Sequence, residues 1–123
     1  MPPDDPAAVA RACYQAYVDN DRAALEMLIA ADFHFTSPLD NRLDRAAYFA
    51  RCWPNGREIA GFTFVRVAAV GDEVFVTYVG ETRGGKRFRN TEVLTIRGGQ
   101  IVEAEVYVGW NVPHAAPDGS FID

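Results

Sequence analysis

Glu92 is the residue of this sequence that is best placed for acid–base chemistry. It alternates with Leu94 and Ile96, so the three side chains should share one face of a β-strand. If that face lines a cavity, apolar surroundings disfavour the charged carboxylate and raise its pKa. Such a carboxyl group can serve as a general acid or base near neutral pH. The alternative is that Glu92 faces water or pairs with Arg87 or Arg89.

Asp40 is the second candidate for a catalytic role. It follows a short strand that starts at Phe33 and that Pro38 ends, because proline has no N–H to donate to a sheet. A carboxylate after an aromatic strand face suits the mouth of a pocket, where Asp40 can serve as a base. Asp40 is equally typical of an Asx turn that leads into the next helix.

Aromatic side chains are numerous enough to line an apolar pocket and to offer hydroxyl and indole groups to a ligand. Plain core packing is the alternative role for each of them. The pocket-lining candidates are Tyr14, Tyr17, Phe35, Ser37, Trp53, Tyr78, Leu94 and Trp110. Such a lining predicts a flat, hydrophobic and weakly polar ligand.

The composition is that of a single globular domain spanning residues 1–123, with 49% hydrophobic residues. The net charge of −5 argues against nucleic acid and anionic membranes as partners. No apolar run approaches the ~20 residues of a membrane span, and the first residues lack a signal-peptide pattern, so we expect a cytoplasmic protein. Cys13 and Cys52 lie in separate helical patterns without metal-ligand spacing, and we expect neither a metal nor a cofactor.

The elements that must position these residues fall into two groups. Asp5, Asp21 and Asp44 are placed as N-caps of three helices, the last of which ends before Pro54. From Ile59 the hydrophobic period changes from 3.6 to 2, and four runs separated by glycine turns predict an antiparallel meander. Helices grouped before strands indicate an α+β fold, with three N-terminal helices packed on a strongly curved antiparallel sheet around a cone-shaped cavity.

The last predicted strand has two faces of different character. The face expected to look towards the helices or the cavity carries Val102, Ala104, Val106, Val108 and Trp110. The opposite face carries Glu103, Glu105 and Tyr107. We expect this second face to meet water or a second subunit across the outer side of the sheet.

Two stretches of the chain resemble the NTF2-like superfamily, and within it the SnoaL-like and ketosteroid-isomerase-like proteins. They read YQAYVDNDRAALEMLIAADFHFTSPLDNRLDRAAYF and RNTEVLTIRGGQIVEAEVYVGW. The resemblance implies a cone-shaped α+β fold with a pocket inside the cone, often as a homodimer. It does not fix the activity, since this superfold hosts isomerases, cyclases, epoxide hydrolases, dehydratases and non-catalytic binders.

The catalytic residues of the ketosteroid isomerases match this sequence only in part. Their general-base aspartate, just before the proline of the first strand, corresponds to Ser37. Their protonated acid on a late strand corresponds to Glu92. Their tyrosine on the first helix corresponds to Cys13, with Tyr14 one residue away. One residue turns a helix by about 100°, so Tyr14 need not face the pocket. Steroid isomerisation is therefore not expected.

We therefore expect the cone to bind a small hydrophobic molecule. Any catalysis is expected to be cofactor-independent isomerisation, cyclisation or hydration, with Glu92 as acid or base and Asp40 or a tyrosine assisting. Two alternatives stay open. One is a non-catalytic binding or dimerisation module whose cone is filled by core side chains. The other is an epoxide-hydrolase-like activity, which needs two carboxylates and an arginine around one water.

Overall fold

The computed structural model describes residues 5–115 and Gly119. The helices are α1 Pro6–Val18, α2 Arg22–Leu28, α3 Arg45–Arg51 and α4 Trp53–Gly56. The strands are β1 Ile29–Ser37, β2 Asp40–Asp44, β3 Ile59–Val70, β4 Glu73–Thr82, β5 Arg87–Arg97 and β6 Gln100–Asn111. Helices precede the long strands, which confirms the predicted α+β fold. Among residues 5–115, no helix has the length and apolar character needed to cross a membrane.

Aspartate side chains begin three of the helices where the sequence predicts them. Asp5, Asp21 and Asp44 each accept a hydrogen bond from a backbone N–H two or three residues later. Such a cap satisfies a donor that the first turn would otherwise leave unpaired, and is worth about 1 kcal/mol. The third helix is followed by the short helix α4, which was not predicted.

The six strands form one curved sheet in the order β2-β1-β6-β5-β4-β3. Strands β3 to β6 make the predicted antiparallel meander. Strand β1 pairs with β6 in parallel, so the sheet is mixed and not wholly antiparallel. Strand β2 was not predicted. Pro38 and Leu39 form a turn that pairs Ser37 with Asp40 and sends the chain back along β1.

A β-bulge at Gly109 decides the direction of Trp110. Asn90 lies opposite Val108 and Arg89 lies opposite Trp110, so Gly109 is an extra residue in β6. A Cβ atom at position 109 would lie 2.0 Å from the carbonyl oxygen of Arg89, which only glycine avoids. The extra residue turns Trp110 to the outer face, with the Arg89 guanidinium 5.5 Å from the centre of its ring. The prediction that Trp110 faces inwards is therefore wrong.

A second irregularity in β6 lies at Val102. Thr95 is opposite Glu103 and Ile96 is opposite Ile101, so Val102 has no partner of its own. Ile101 is consequently the buried residue of this segment, and Val102 is only half-buried. Val102 does not line the interior cavity, whereas Ala104 and Val106 do.

The hydrophobic core lies between the inner face of the sheet and the helices. Its largest fully buried side chains are Phe33, Leu25, Ile101, Val9, Val74 and Val76. Each buried aliphatic or aromatic side chain of this kind contributes about 1.5–3 kcal/mol relative to an exposed one. Helix α1 packs against β3, β4, β5 and β6, which brings side chains of α1 and of β5 into one space.

Candidate active site

A cavity of about 210 Å³ remains inside the fold. Helix α1 lines it with Cys13, Tyr14 and Tyr17, and strands β4 and β5 line it with Tyr78, Phe88, Glu92 and Leu94. Most of its other lining side chains are aliphatic or aromatic. An apolar hollow with a few convergent polar groups is the usual form of a small-molecule site.

Glu92 is the one carboxylate that lines the cavity within the described residues. It lies on the inner face of β5, opposite Val76 and Val106 on the flanking strands. Its Oε2 atom accepts a hydrogen bond of 2.5 Å from the hydroxyl of Tyr78. Burial raises the pKa of Glu92 from 4.5 to about 6, although the hydroxyls of Tyr78 and Tyr14 lower it.

The Tyr14 hydroxyl is buried near Glu92 and has no hydrogen-bond partner in the described structure. It is near enough to lower the pKa of the carboxyl group, but the geometry of a hydrogen bond is not met. The ring is held by edge contacts with Phe62 and Phe64, at centroid distances of 5.0 and 5.4 Å. A buried hydroxyl without a partner costs about 1–3 kcal/mol. Tyr14 therefore offers an unused donor to whatever enters the cavity.

A second polar point in the cavity is the pair of hydroxyls of Tyr17 and Tyr48, which are hydrogen-bonded to each other. Burial raises the pKa of both phenols well above 10. Burial also raises the pKa of the Cys52 thiol to about 11. These groups are neutral at pH 7, so Glu92 is the group of the site that changes charge in the physiological range.

The sequence profile of the SnoaL-like domain matches residues 10–104 of this chain. The chain belongs to the SnoaL-like family. Among curated proteins, no sequence matches this SnoaL-like chain.

Solved structures of the same architecture support this placement at the level of the fold. An NTF2-like protein of unknown function from Burkholderia xenovorans is 21% identical with a TM-score of 0.75, and the match covers 92% of this chain and 88% of that one. A candidate ketosteroid isomerase from Kribbella flavida is 20% identical with a TM-score of 0.72, covering 93% and 83%. A candidate polyketide cyclase from Sinorhizobium meliloti is 20% identical with a TM-score of 0.69, covering 81% and 94%. The SnoaL-like chain therefore has an NTF2-like fold.

Six of the predicted site residues lie together at the cavity of the SnoaL-like domain. They are Glu92, Tyr14, Tyr17, Phe35, Tyr78 and Leu94. The offset of one residue between Cys13 and Tyr14 does not turn Tyr14 away, since both side chains line the cavity.

Asp40 does not line the cavity. Its Oδ1 atom lies 2.9 Å from a guanidinium nitrogen of Arg51, and its Oδ2 atom lies 3.4 Å from the Ser37 hydroxyl. The carboxylate therefore joins strand β2 to the end of helix α3. This placement does not support a catalytic role for Asp40.

Three predicted lining residues lie outside the cavity for different reasons. Ser37 is used by the local turn, where its hydroxyl accepts the N–H of Leu39. Trp53 is buried against Tyr17, with ring centroids 5.4 Å apart. Trp110 is turned outwards by the bulge at Gly109 and is 49% exposed. All three are corrections to the predicted pocket.

Sequence reasoning did not assign Tyr48, Cys52 or Asn90 to the site. Tyr48 and Cys52 line the cavity, and Asn90 is linked to it through Tyr78. Tyr48 lies four residues after the cap Asp44 and four before Cys52, and this helical spacing places Tyr48 and Cys52 on one face. Asn90 alternates with Glu92 along β5, so its inward direction was readable from the same period of two.

The described residues contain no group of three or more His, Cys, Asp or Glu side chains arranged for a metal ion. The polar groups of the cavity are phenols, thiols and one carboxylate.

Proposed function

We propose that the cavity binds a small, mostly apolar molecule with at least one oxygen atom, and that Glu92 carries out acid–base catalysis on it. The observation that carries the proposal is the position of Glu92 in an apolar cavity, with a hydroxyl of Tyr78 on one side and the unpartnered hydroxyl of Tyr14 near it. A carboxyl group with a pKa raised to about 6 by burial is available as a base at pH 7 and as an acid slightly below.

The size of the cavity limits the ligand. A cavity of about 150 Å³ holds benzene, so the 210 Å³ present here favours a molecule of one ring or of similar bulk. The hydroxyl groups of Tyr17 and Tyr48 provide a second polar contact for the ligand. The ligand class is therefore compact, apolar molecules with one or two oxygen atoms.

The chemistry that fits these groups is the transfer of a proton within one molecule. Glu92 takes a proton from a carbon next to a carbonyl group and returns it at another position. The Tyr14 hydroxyl donates a hydrogen bond to the carbonyl oxygen as negative charge develops there. Burial keeps the pKa of Tyr14 well above 10, so it stays a donor throughout. Isomerisation and cyclisation both follow this scheme.

Two structural neighbours are named for isomerisation or cyclisation. One is a candidate ketosteroid isomerase and the other is a candidate polyketide cyclase. Their identity to this chain is 20% each, so they support the class of reaction and not its substrate. An epoxide-hydrolase-like reaction is less favoured. Within the described residues, the cavity lining holds neither an arginine nor a second carboxylate to position the water.

The experiment is turnover of a panel of small cyclic unsaturated ketones by wild-type protein, Glu92→Gln and the control Asp40→Asn. We expect proton-transfer activity in the wild type with an apparent pKa near 6, a loss of about 10²- to 10⁴-fold in Glu92→Gln, and normal activity in Asp40→Asn. Full activity in a folded Glu92→Gln protein would exclude Glu92 as the catalytic group. Binding without turnover in the wild type would assign the domain as a non-catalytic binding module.

We also propose that the outer face of the sheet forms a homodimer. The apolar side chains Phe75, Tyr107 and Trp110 are 37%, 57% and 49% exposed on that side. Glu103 and Glu105 lie on the same face of the sheet and can meet basic side chains of a second copy, such as Arg66. The mass in solution, measured by light scattering, should be twice that of one chain and should halve in Phe75→Glu. A monomeric wild type at high concentration would contradict the proposal.

A further inference from the structure

Three hydrogen bonds connect the backbone of β6 to Glu92. The backbone N–H of Gly109 donates to Oδ1 of Asn90 at 3.1 Å. The Nδ2 atom of Asn90 lies 3.4 Å from the hydroxyl oxygen of Tyr78. The Tyr78 hydroxyl lies 2.5 Å from Oε2 of Glu92. The series therefore runs from the bulge in β6 to the carboxyl group of the cavity.

The donor and acceptor of all three hydrogen bonds follow from the first bond, in which the backbone N–H of Gly109 is the donor. A backbone N–H can only donate, so the group of Asn90 that faces Gly109 must be its carbonyl oxygen. The amide NH₂ of Asn90 then faces Tyr78 and can only donate. The Tyr78 oxygen accepts this bond, and its own proton is left for Glu92.

We propose that Asn90 is a positioning residue for Glu92, because it commits the Tyr78 proton to Oε2 and leaves Oε1 as the carboxyl oxygen that exchanges a proton with a ligand. This role rests on the proposed function for its consequence in catalysis, but the hydrogen-bond arrangement can be tested without turnover. Donation by Asn90 also polarises the Tyr78 hydroxyl, which strengthens its bond to the carboxylate. Asn90 itself does not line the cavity and acts through Tyr78.

The groups around Glu92 allow a clean measurement of this effect. The titratable groups facing it are Cys13, Tyr14 and Tyr17 of α1, Tyr48 of α3, Cys52 and Tyr78. Burial raises the pKa of each of them, so all are neutral while Glu92 titrates. A change in the titration of Glu92 between pH 4 and 8 therefore reports on its hydrogen bonds and not on a charged neighbour.

The experiment follows the ¹³C chemical shift of the Glu92 carboxyl carbon against pH in glutamate-labelled protein, with the signal assigned by its loss in Glu92→Gln. Tyr78→Phe removes a hydrogen bond to the charged form and should raise the pKa of Glu92 by about one unit. Asn90→Leu should raise it by a smaller amount, roughly 0.3 unit. Asn90→Asp keeps an acceptor for Gly109 but cannot donate when ionised. Its added charge also raises the pKa of Glu92, and the increase that remains in Tyr78→Phe/Asn90→Asp measures this charge effect. Asn41→Leu, an exposed substitution on β2, is the control and should leave it unchanged.

The double variant Tyr78→Phe/Asn90→Leu decides whether Asn90 acts through Tyr78. In the proposed arrangement the pKa of Glu92 in the double variant equals that in Tyr78→Phe alone, because the hydroxyl that transmits the effect of Asn90 is gone. An unchanged Glu92 pKa in folded Asn90→Leu would overturn the proposal, and so would an increase in Asn90→Asp that is undiminished in Tyr78→Phe/Asn90→Asp. So would an undiminished effect of Asn90→Leu in the absence of the Tyr78 hydroxyl.

Activity gives a second, separate reading. If the wild type turns over a ketone, Asn90→Leu should shift the pH profile of kcat/KM by the same amount as the carboxyl titration, while KM changes little. If the wild type has no activity but the titrations shift as described, the proposed catalysis fails and the positioning of Glu92 by Asn90 stands. If activity depends on Glu92 but Asn90→Leu changes neither the pH profile nor the carboxyl titration, the proposed catalysis stands and the positioning of Glu92 by Asn90 fails.

Discussion

Tyr78 and Glu92 are diagonal neighbours on the inner face of the sheet, and their side chains are joined by a hydrogen bond of 2.5 Å. The register places Val76 opposite Glu92 and Asn90 opposite Tyr78. The bond is therefore set by two adjacent strands and needs no contribution from the helices. Tyr14 approaches the same carboxyl group from α1, so the helix adds the one buried hydroxyl that has no hydrogen-bond partner among the described residues.

Glu92→Gln should make the protein more stable at neutral pH and not at acidic pH. Burial raises the folded-state pKa of Glu92 from 4.5 to about 6. Below pH 4.5 Glu92 is protonated in both the folded and the unfolded chain, so folding does not bury a charge at this residue. Between pH 4.5 and 6 the unfolded chain loses its proton first, so wild-type stability falls as pH rises, by about 2 kcal/mol in total. Glutamine is neutral throughout and avoids this loss.

The measurement for Glu92→Gln is the free energy of unfolding by urea at pH 4 and pH 7 for the wild type, the variant and the surface control Glu73→Gln. The difference between Glu92→Gln and wild type should be larger at pH 7 by about 2 kcal/mol. Glu73 is exposed and should show no such change. An equal difference at both pH values would mean that the carboxyl group is not desolvated in the folded state.

Tyr14→Phe should separate stability from ligand recognition. At pH 4, where Glu92 is protonated, removing a buried hydroxyl without a partner should stabilise the ligand-free protein by about 1 kcal/mol. The same change should weaken the binding of cyclohexanone, whose oxygen would accept from Tyr14, and leave the binding of benzene unaffected. Tyr78→Phe is the matched comparison at the same pH, because it breaks a hydrogen bond that exists and should destabilise the protein. Destabilisation of both variants to the same extent would show that the Tyr14 hydroxyl is satisfied in solution.

Ala104→Leu should fill the cavity without harming the fold. Ala104 is buried, faces the interior of the sheet and lines the cavity. The larger side chain enters empty space and gains about 0.8 kcal/mol per buried methylene. We expect equal or higher thermal stability and a loss of benzene binding measured by NMR titration. Ala68→Leu, on the exposed side of β3, should retain binding. Destabilisation of Ala104→Leu would indicate that the interior is already filled.

Much of the fold was predictable because it rests on local signals. Three aspartate caps mark the starts of α1, α2 and α3, and the change of hydrophobic period near Ile59 marks the start of the meander. The inward direction of Glu92 and Leu94 follows from a period of two along a regular strand. These features depend on residues close in sequence, so they can be predicted without knowledge of tertiary contacts.

The errors concern features that depend on pairing between distant segments. Alternation counts residues, and the bulge at Gly109 adds one, so Trp110 falls on the opposite face. Asp40 is held by Arg51, a contact that only the packing of β2 against α3 brings about. The parallel pairing of β1 with β6 joins segments at opposite ends of the chain. Periodicity alone contains no information about these contacts.

Gly109→Ala should destabilise the protein strongly, and Gly61→Ala should not. A Cβ atom at position 109 would lie 2.0 Å from the carbonyl oxygen of Arg89, a contact with backbone that cannot move aside without breaking the β5–β6 pairing. Overpacking of this kind costs about 1–3 kcal/mol or more. Gly61 also lies in a long strand, but a Cβ atom there meets nothing within 4 Å. The two variants thus differ in the clash and not in the type of substitution.

The two glycine variants are compared by urea unfolding and by the carboxyl titration of Glu92. Because the backbone N–H of Gly109 holds Asn90, a shifted bulge should also weaken the hydrogen bond of Tyr78 to Glu92 and raise the pKa of that carboxyl group. Gly61→Ala should leave this pKa unchanged and lose at most a few tenths of a kcal/mol. Equal stability of the two variants would show that β6 can accommodate a side chain at position 109.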